Sequence, residues 1–390
     1  MPITSRHWRL YRLAKHKQNI ETWLIANCTI VDHKSPLVDR CRCVSANVQS
    51  TKKALQISSK VTHLTFGSDG QYRHGPAGVT RLRTDFIYRV LDNVTLPSSL
   101  THLTFGAGFD QPLDNVTLPS SLTHLTFGFC FNQPLDKVTL PSSLTHLTFG
   151  SYFNQPFDKV TLPAALTHLA FGSAFNQSLD NVTLPCSLTH LTFLYFNQQL
   201  TTVTLPSTLT HLTLSGNQSI DKVALPPILT HLKLCGEFDQ PLNNVTWPAS
   251  LTHLILGACF NQALDNVTLP PALTHLNCTH SFNQSLDNVV LPSSLTHLEF
   301  GGNFNRPLDQ VTLPSLLTHL TFGFDFNQPL DNMTLPSSLT HLKFGYRFDQ
   351  PLDNVTLPLS LTHLKFGVHY KRPLDNVTLP AGCIVEHVGA

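Results

Sequence analysis

The sequence predicts a β-rich solenoid: a curved parallel sheet of about 15 coils of about 22 residues each, with a small, partly helical cap at the N-terminus. Three observations carry this. A block typified by Leu-Pro-Ser-Ser-Leu-Thr-His-Leu-Thr-Phe-Gly-x-x-Phe-Asn-Gln-Pro-Leu-Asp-Asn-Val-Thr recurs from about Lys60 to the C-terminus. Within it, His-Leu-Thr-Phe alternates polar and apolar side chains with the period of a strand. The block is also too short to close a core alone or to carry a full helix behind its strand, so copies must stack on one another.

The Thr-His-Leu triplet sets the register, with histidines at His63, His102, His124, His146, His168, His190, His211, His231, His253, His275, His297, His319, His341 and His363. Most steps are 22 residues, and the first is 39. Val79-Thr80-Arg81-Leu82 falls inside that gap with the apolar pattern of Leu-Thr-His-Leu, and reads as a degenerate copy that divides it into steps of 18 and 21. After Leu379-Pro380, a last strand falls on Ala-Gly-Cys-Ile-Val-Glu-His-Val without the usual residues, as expected of a terminal cap over 381–390.

Residues 1–60 form a distinct, basic module. They hold eleven Lys or Arg against three acids, a balance of +8 in a chain whose total is +1, which leaves −7 for the remainder. An amphipathic helix is expected over residues 6–16, with Trp8, Leu10 and Tyr11 on its apolar side, followed by an apolar run from Ile20 to Ile25. The module reads first as a cap over the open end of the solenoid, at 61–380. A small helical docking module is the alternative and nucleic-acid binding a third, weakened by the lack of a recognised motif. No apolar run approaches the roughly 18 to 20 residues of a membrane span, and the N-terminus lacks the apolar core of a secretory signal, so a cytoplasmic protein is expected.

Inside each coil, Leu103 and Phe105 should point inward and His102 and Thr104 outward. Val116 and Leu118 suit the opposite wall, and Pro119 ends regular pairing there. Two phenylalanine columns follow, one through Phe105, Phe127 and Phe149 and one through Phe109, Phe131 and Phe153. The convex side should consist of extended chain and turns.

Chemistry is sparse. The histidine column reads as a solvent-facing position repeated with the coil, with zinc or copper binding as the alternative; none pairs with a copy-specific nucleophile and orienting acid. Protonation near pH 6 would align like charges, so stability should fall between about pH 7 and 5. An aspartate column at Asp92, Asp114, Asp136, Asp158, Asp180, Asp265, Asp287, Asp309, Asp331, Asp353 and Asp375 reads as Asx-type turns, with each carboxylate accepting nearby backbone N–H groups. Nine irregularly spaced cysteines do not form a disulfide framework; Cys186 and Cys278 replace small or apolar repeat residues, and Cys41-x-Cys43 lacks further zinc ligands at finger spacing. Sequons such as Asn93, Asn115, Asn181 and Asn354 arise from the repeat and should stay unmodified in the expected compartment.

Leu-Pro-Ser-Ser-Leu-Thr-His-Leu-Thr-Phe-Gly followed by Phe-Asn-Gln-Pro-Leu resembles the FNIP repeat, a leucine-rich-repeat variant named for Phe-Asn-Ile-Pro. The third motif residue here is usually Gln, as in Phe131-Asn132-Gln133-Pro134. Leu212-Thr213-Leu214-Ser215-Gly216-Asn217, in a coil that lacks the extra Phe, has the ordinary leucine-rich order. The resemblance implies a leucine-rich-repeat-like sheet. In that family the repeats are often joined to an F-box, which implies a ubiquitin-ligase substrate adaptor, although residues 1–60 carry no F-box pattern.

Specificity should lie where near-identical copies differ. The residue after Thr-His-Leu is usually Thr, but four successive coils carry Lys233, Ile255, Asn277 and Glu299. These should lie side by side on the concave face beside His231, His253, His275 and His297, next to shortened steps between His190 and His231 that should alter local curvature. The pair before Phe-Asn also varies, as Phe129-Cys130, Ser151-Tyr152, Phe324-Asp325, Tyr346-Arg347 and Val368-His369. The expected function is a non-catalytic protein-binding scaffold without cofactor, metal or nucleic acid. A ubiquitin-ligase adaptor and a structural or metal-binding rod are the alternatives.

Overall fold

The structure is a computed structural model that describes residue 59, residues 61–66 and 94–388, and the backbone of short strands at 45–47, 55–56 and 80–83. The helix expected over residues 6–16, the apolar run from Ile20 to Ile25, the Cys41-x-Cys43 pair and Asp92 lie outside the described residues. Among the described residues no helix is long and apolar enough to cross a membrane. The chain forms two compact units, Met1–Gly150 and Ser151–Ala390.

The fold is a parallel β-solenoid, as the repeat period requires. In the first unit the strands are β1 (Ser45–Asn47), β2 (Leu55–Gln56), β3 (His63–Phe66), β4 (Thr80–Arg83), β5 (Val94–Thr95), β6 (His102–Phe105), β7 (His124–Thr126) and β8 (His146–Thr148). In the second they are β9 (His168–Phe171), β10 (His190–Phe193), β11 (His211–Ser215), β12 (His231–Cys235), β13 (His253–Leu256), β14 (His275–Cys278), β15 (His297–Phe300), β16 (His319–Thr321), β17 (His341–Lys343), β18 (His363–Phe366) and β19 (Ile384–His387). Within the second unit each strand pairs in parallel with the next, histidine beside histidine and leucine beside leucine, until β19 continues the register with Val385 beside Leu364.

The degenerate copy around Arg81 is a strand, but it does not lie between the His63 and His102 coils. Strand β3 pairs directly with β6, His63 opposite His102, while β4 pairs with the other edge of β3 and with β1. Thr65, not His63, stands opposite Arg81. The physical reason is column matching: β3 and β6 share the residues His-Leu-Thr-Phe and bury the same side chains in register, which Thr80–Arg83 cannot reproduce.

Each coil is three-cornered. From β13 the chain passes a turn closed by Phe260 N–H donating to the Gly257 carbonyl (3.1 Å), a second from Val267 to Leu264 (3.0 Å) and a third from Leu273 to Pro270 (3.1 Å). The aspartate column stands at the second corner, where the backbone bond, not the carboxylate, closes the turn; Asp265 and its equivalents Asp114 and Asp136 are exposed. The expected Asx role is therefore displaced to another residue. Asn305 Oδ1 accepts from the Asn327 N–H at 2.9 Å and from Gln328 Nε2 at 3.0 Å, while the Asn305 N–H donates to Asn283 Oδ1 at 3.0 Å. The ladder uses the asparagine of Phe-Asn-Gln-Pro, and Gln occupies the third motif position because its amide reaches back to the previous coil. Asp110, Asp239 and Asp349 serve as equivalent acceptors.

Substitution separates this role from simple packing. Asn305→Ala leaves the Asn327 N–H and the Gln328 amide without their acceptor and is expected to destabilise the array by about 1–3 kcal/mol. Asn305→Asp keeps the acceptor and should stay close to the parent in denaturant unfolding. Equal losses in both variants would show that the ladder does not carry the effect.

The core lies between the three walls. Leu251, Leu254, Leu256 and Phe260 are essentially inaccessible, and Val267 and Leu269 close the far wall. Where a coil carries both phenylalanines the two columns stack on each other, Phe322 on Phe326 at 3.9 Å and Phe344 on Phe348 at 3.8 Å, closer than their inter-coil contacts of 5.6 Å for Phe322–Phe344 and 6.1 Å for Phe326–Phe348. Cys278 substitutes for Phe in the strand column as a buried apolar residue, its thiol pushed up to about 12 by burial. The glycine that follows most strands gives the chain room: a Cβ at Gly345 would run into the Gly323 carbonyl of the preceding coil.

Candidate interaction surface

The outward side of each strand carries two columns, one of histidine and one of the residue two positions on. Parallel pairing in register places Lys233 beside Ile255, Ile255 beside Asn277 and Asn277 beside Glu299, so all four variable residues form one row on the second unit. Asn277 Nδ2 donates to Glu299 Oε2 at 2.7 Å, joining half of that row. Lys233 and Glu299 are exposed, giving the row a positive end and a negative end. The same column continues through Thr321 to Lys343, Lys365 and Glu386, with Lys365 Nζ 2.8 Å from Glu386 Oε2. Lys343 and Lys365 are missing from the row expected from sequence. The signal was available, because Thr-His-Leu-Lys occurs at both positions as it does at Lys233.

Beside this row the imidazoles of His231, His253, His275 and His297 form a stack. Ring centroids are 4.1 Å apart and adjacent planes are within 14° of parallel. In each rung the preceding threonine holds the ring: Thr252 Oγ1 lies 2.9 Å from His253 Nδ1, and Thr274 Oγ1 lies 2.9 Å from His275 Nδ1. The same hydroxyls donate to the threonine carbonyl of the previous coil, Thr252 to Thr230 and Thr274 to Thr252, each at 3.1 Å. A carbonyl can only accept and a hydroxyl has one proton, so the hydroxyl must accept the proton on Nδ1. This network assigns the Nδ1–H tautomer to these rungs and leaves Nε2 of each as an unprotonated acceptor.

Loss of hydration in the stack, reinforced by the positive charge that neighbouring rings would carry, pulls His231 and His275 from the ordinary 6.5 down to about 4. His253 and His297 are lowered for the same reasons. In the first unit His102 is likewise drawn to about 4, in a stack of His63, His102, His124 and His146 with centroids 4.0–4.1 Å apart. The rungs lowered in this way are therefore neutral at pH 7. Parallel rings tied through Nδ1 hold their Nε2 lone pairs side by side, whereas a chelated metal needs them to converge. Among the described residues no group of three or more His, Cys, Asp or Glu is arranged to hold a metal ion.

Comparison with known proteins agrees with this geometry. The family model described as FNIP Repeat matches residues 89–130, 131–174, 175–216, 217–259, 260–303, 304–347 and 348–385. Among solved structures, the chain is similar to CroV588, described as a novel circular LRR protein structure, with 40% identity and a TM-score of 0.70 over 88% of this chain and 56% of that one. The chain thus spans little more than half the length of that relative. It also shares its fold, at 13% identity and a TM-score of 0.50, with a chain of the Toll–Spatzle complex of Drosophila, covering 74% of this chain and 47% of that one. None of the curated proteins matches by sequence.

Proposed function

Since the chain belongs to the FNIP repeat family, we propose that it is a non-catalytic scaffold that binds a partner protein through the outward face of its second unit. The observation that carries this reading is the unbroken row Lys233, Ile255, Asn277 and Glu299, set where half of the Thr-His-Leu coils present threonine and flanked by a neutral, rigid histidine ladder. A stacked array pre-organises the backbone of such a row, so copy-specific residues can discriminate among partners while the scaffold stays constant. Lys233 and Glu299 supply opposite charges at the two ends, which fixes the direction in which a partner segment lies across the strands.

The test compares proteins captured from cells by the full chain and by a full chain in which Lys233, Ile255, Asn277 and Glu299 are all changed to Thr. Threonine is the column's own residue, so the melting temperature should be unchanged. Loss of a specific partner from the variant is the expected result. An identical set of captured proteins would remove this row from recognition.

A further inference from the structure

Four successive rungs of the second unit, His253, His275, His297 and His319, share one hydrogen-bond pattern. Each Nδ1 lies 2.9 Å from the hydroxyl of the preceding threonine. Each of those hydroxyls donates its own proton to the threonine carbonyl one coil earlier, at 3.0–3.1 Å. The proton shared with the ring therefore sits on Nδ1, and Nε2 carries a lone pair. Among the described residues none of the four Nε2 atoms has a hydrogen-bond partner, and none is buried.

The rungs are also in register. Their ring centroids are 4.1–4.2 Å apart, so the four nitrogens form a row of acceptors with no donor among them. Burial and the neighbouring rings lower the proton affinity of all four, and the row keeps this character at pH 7.

Few charges surround these rungs. In the adjacent outward column stand Ile255, Asn277, Glu299 and Thr321, of which only Glu299 is charged. It is exposed, accepts from Asn277 Nδ2, and has no cationic partner among the described residues. On the other side, the corners at 248–252, 270–274, 292–296 and 314–318 hold no ionisable residue. Beyond the strand ends stand Cys259, His280 and Asp325, the last paired with Arg347 at 3.0 Å. Lys233 and Lys343 lie one coil outside the four rungs, one at each end. The stretch thus holds a single uncompensated negative charge with a lysine at either border.

A row of acceptors discriminates by what it refuses. Carboxylates and phosphates brought against it would set lone pair against lone pair, with no proton between them. The NH2 groups of glutamine or asparagine supply protons, and so does a guanidinium, which has no acceptor of its own. Resting on the scaffold reading above, we propose that His253, His275, His297, His319 and Glu299 bind a glutamine- or asparagine-rich segment of a partner protein that carries one arginine. Amides of the segment donate to Nε2, and the arginine meets the Glu299 carboxylate. The bordering lysines repel a longer basic run and so fix where that arginine sits. The four rungs span three coil steps, about 14 Å at the spacing of paired strands, which an extended segment covers in about four residues.

The test measures fluorescence anisotropy of a short labelled glutamine peptide with one central arginine, titrated with the full chain at pH 7. Binding is expected on the order of 100 μM. His253→Phe, His275→Phe and His297→Phe together keep stacked rings without the acceptor nitrogens, and should weaken binding at least about fivefold. Glu299→Gln should abolish the preference for this peptide over one of glutamine alone. Nitrogen-15 spectra of the histidine side chains give a readout that needs no variant. The parent should show protonated Nδ1 and bare Nε2 at pH 7, with the Nε2 signals moving as peptide is added. Protonated Nε2, signals indifferent to the peptide, absence of binding, or equal binding of a peptide with glutamate for glutamine would overturn the proposal. Self-association in sedimentation that disappears in the phenylalanine variant would also overturn it, making a second copy the occupant. Capture from cells separates this idea from the scaffold reading. A partner lost from the fourfold threonine variant but kept by the phenylalanine variant overturns the acceptor row alone, and captures unchanged in both overturn the two together.

Discussion

Phe304→Ala is expected to cost about 3–5 kcal/mol and to split the unfolding of the second unit into two transitions. Phe304 is fully buried, stacked on Phe300 at 4.1 Å, and lies in line with Phe282 at 6.0 Å and Phe326 at 6.1 Å. Its ring thus serves three coils. Removing it leaves a cavity that the neighbours cannot fill, because the hydrogen-bonded ladders on either side fix the coil spacing. In a one-dimensional array, weakening one interface lowers the cooperativity that joins the coils before and after it. Denaturant unfolding followed by hydrogen exchange reads both effects: coils beyond residue 304 should exchange at lower denaturant than those before residue 282. A loss below about 1 kcal/mol would show that the columns are not the source of stability.

Acid should weaken the protein over a defined window. The unfolded histidines titrate near 6.5, whereas His102, His231 and His275 titrate at about 4 in the folded chain. Between those values the unfolded chain binds more protons than the folded one, so stability is full above about pH 6.5, declines as pH falls, and reaches its floor below about pH 4. The window reaches lower than the pH 7 to 5 expected from sequence, because stacking resists protonation of the folded ladder. In a buried site each tenfold loss of proton affinity is worth ~1.4 kcal/mol; with ring edges in water each rung contributes less, but the rungs act together. Calorimetric melting temperatures from pH 8 to 3.5 provide the test. His275→Asn should shallow the slope, since it removes one titrating rung and relieves two neighbours. The charges facing the rungs from the adjacent column, Lys233 and Glu299, are unchanged by this substitution. A flat melting temperature between pH 6.5 and 4.5 would contradict the assignment of a neutral ladder.

Much of this architecture was readable from residues alone because a strict repeat turns sequence spacing into spatial adjacency. Once Leu103 and Leu125 are a whole coil apart, their stacking follows, and alternation assigns His102 to the outside. The same logic placed Lys233 to Glu299 in one row. It stopped where geometry depends on which neighbour a polar atom reaches. Asp114 and Asn132 are equally regular in sequence, and both are suited to accept backbone N–H groups; only the corner geometry shows that the asparagine column does so. The tautomer of the histidines required the distance from each threonine hydroxyl to the previous coil's carbonyl. The coil at Arg81 was misplaced because spacing reports separation along the chain, not which edge of β3 a loop returns to. Phe324 and Tyr346 were visible as variation, but the stacking of their rings was not.

The polar ladders have a direction. Asn283 accepts from Asn305, Asn305 from Asn327, and Asn327 from Asp349, so every acceptor belongs to the earlier coil and every donor to the later one. The threonine carbonyls follow the same order, Thr274 accepting from Thr296 and Thr296 from Thr318. In these two ladders each new coil brings donors to acceptors already present on the coil made just before it, while along the strands the earlier coil also donates, as Phe344 N–H does to the Lys365 carbonyl. A further coil can therefore be added at the C-terminal side of either ladder without changing the partners of the acceptors already in use.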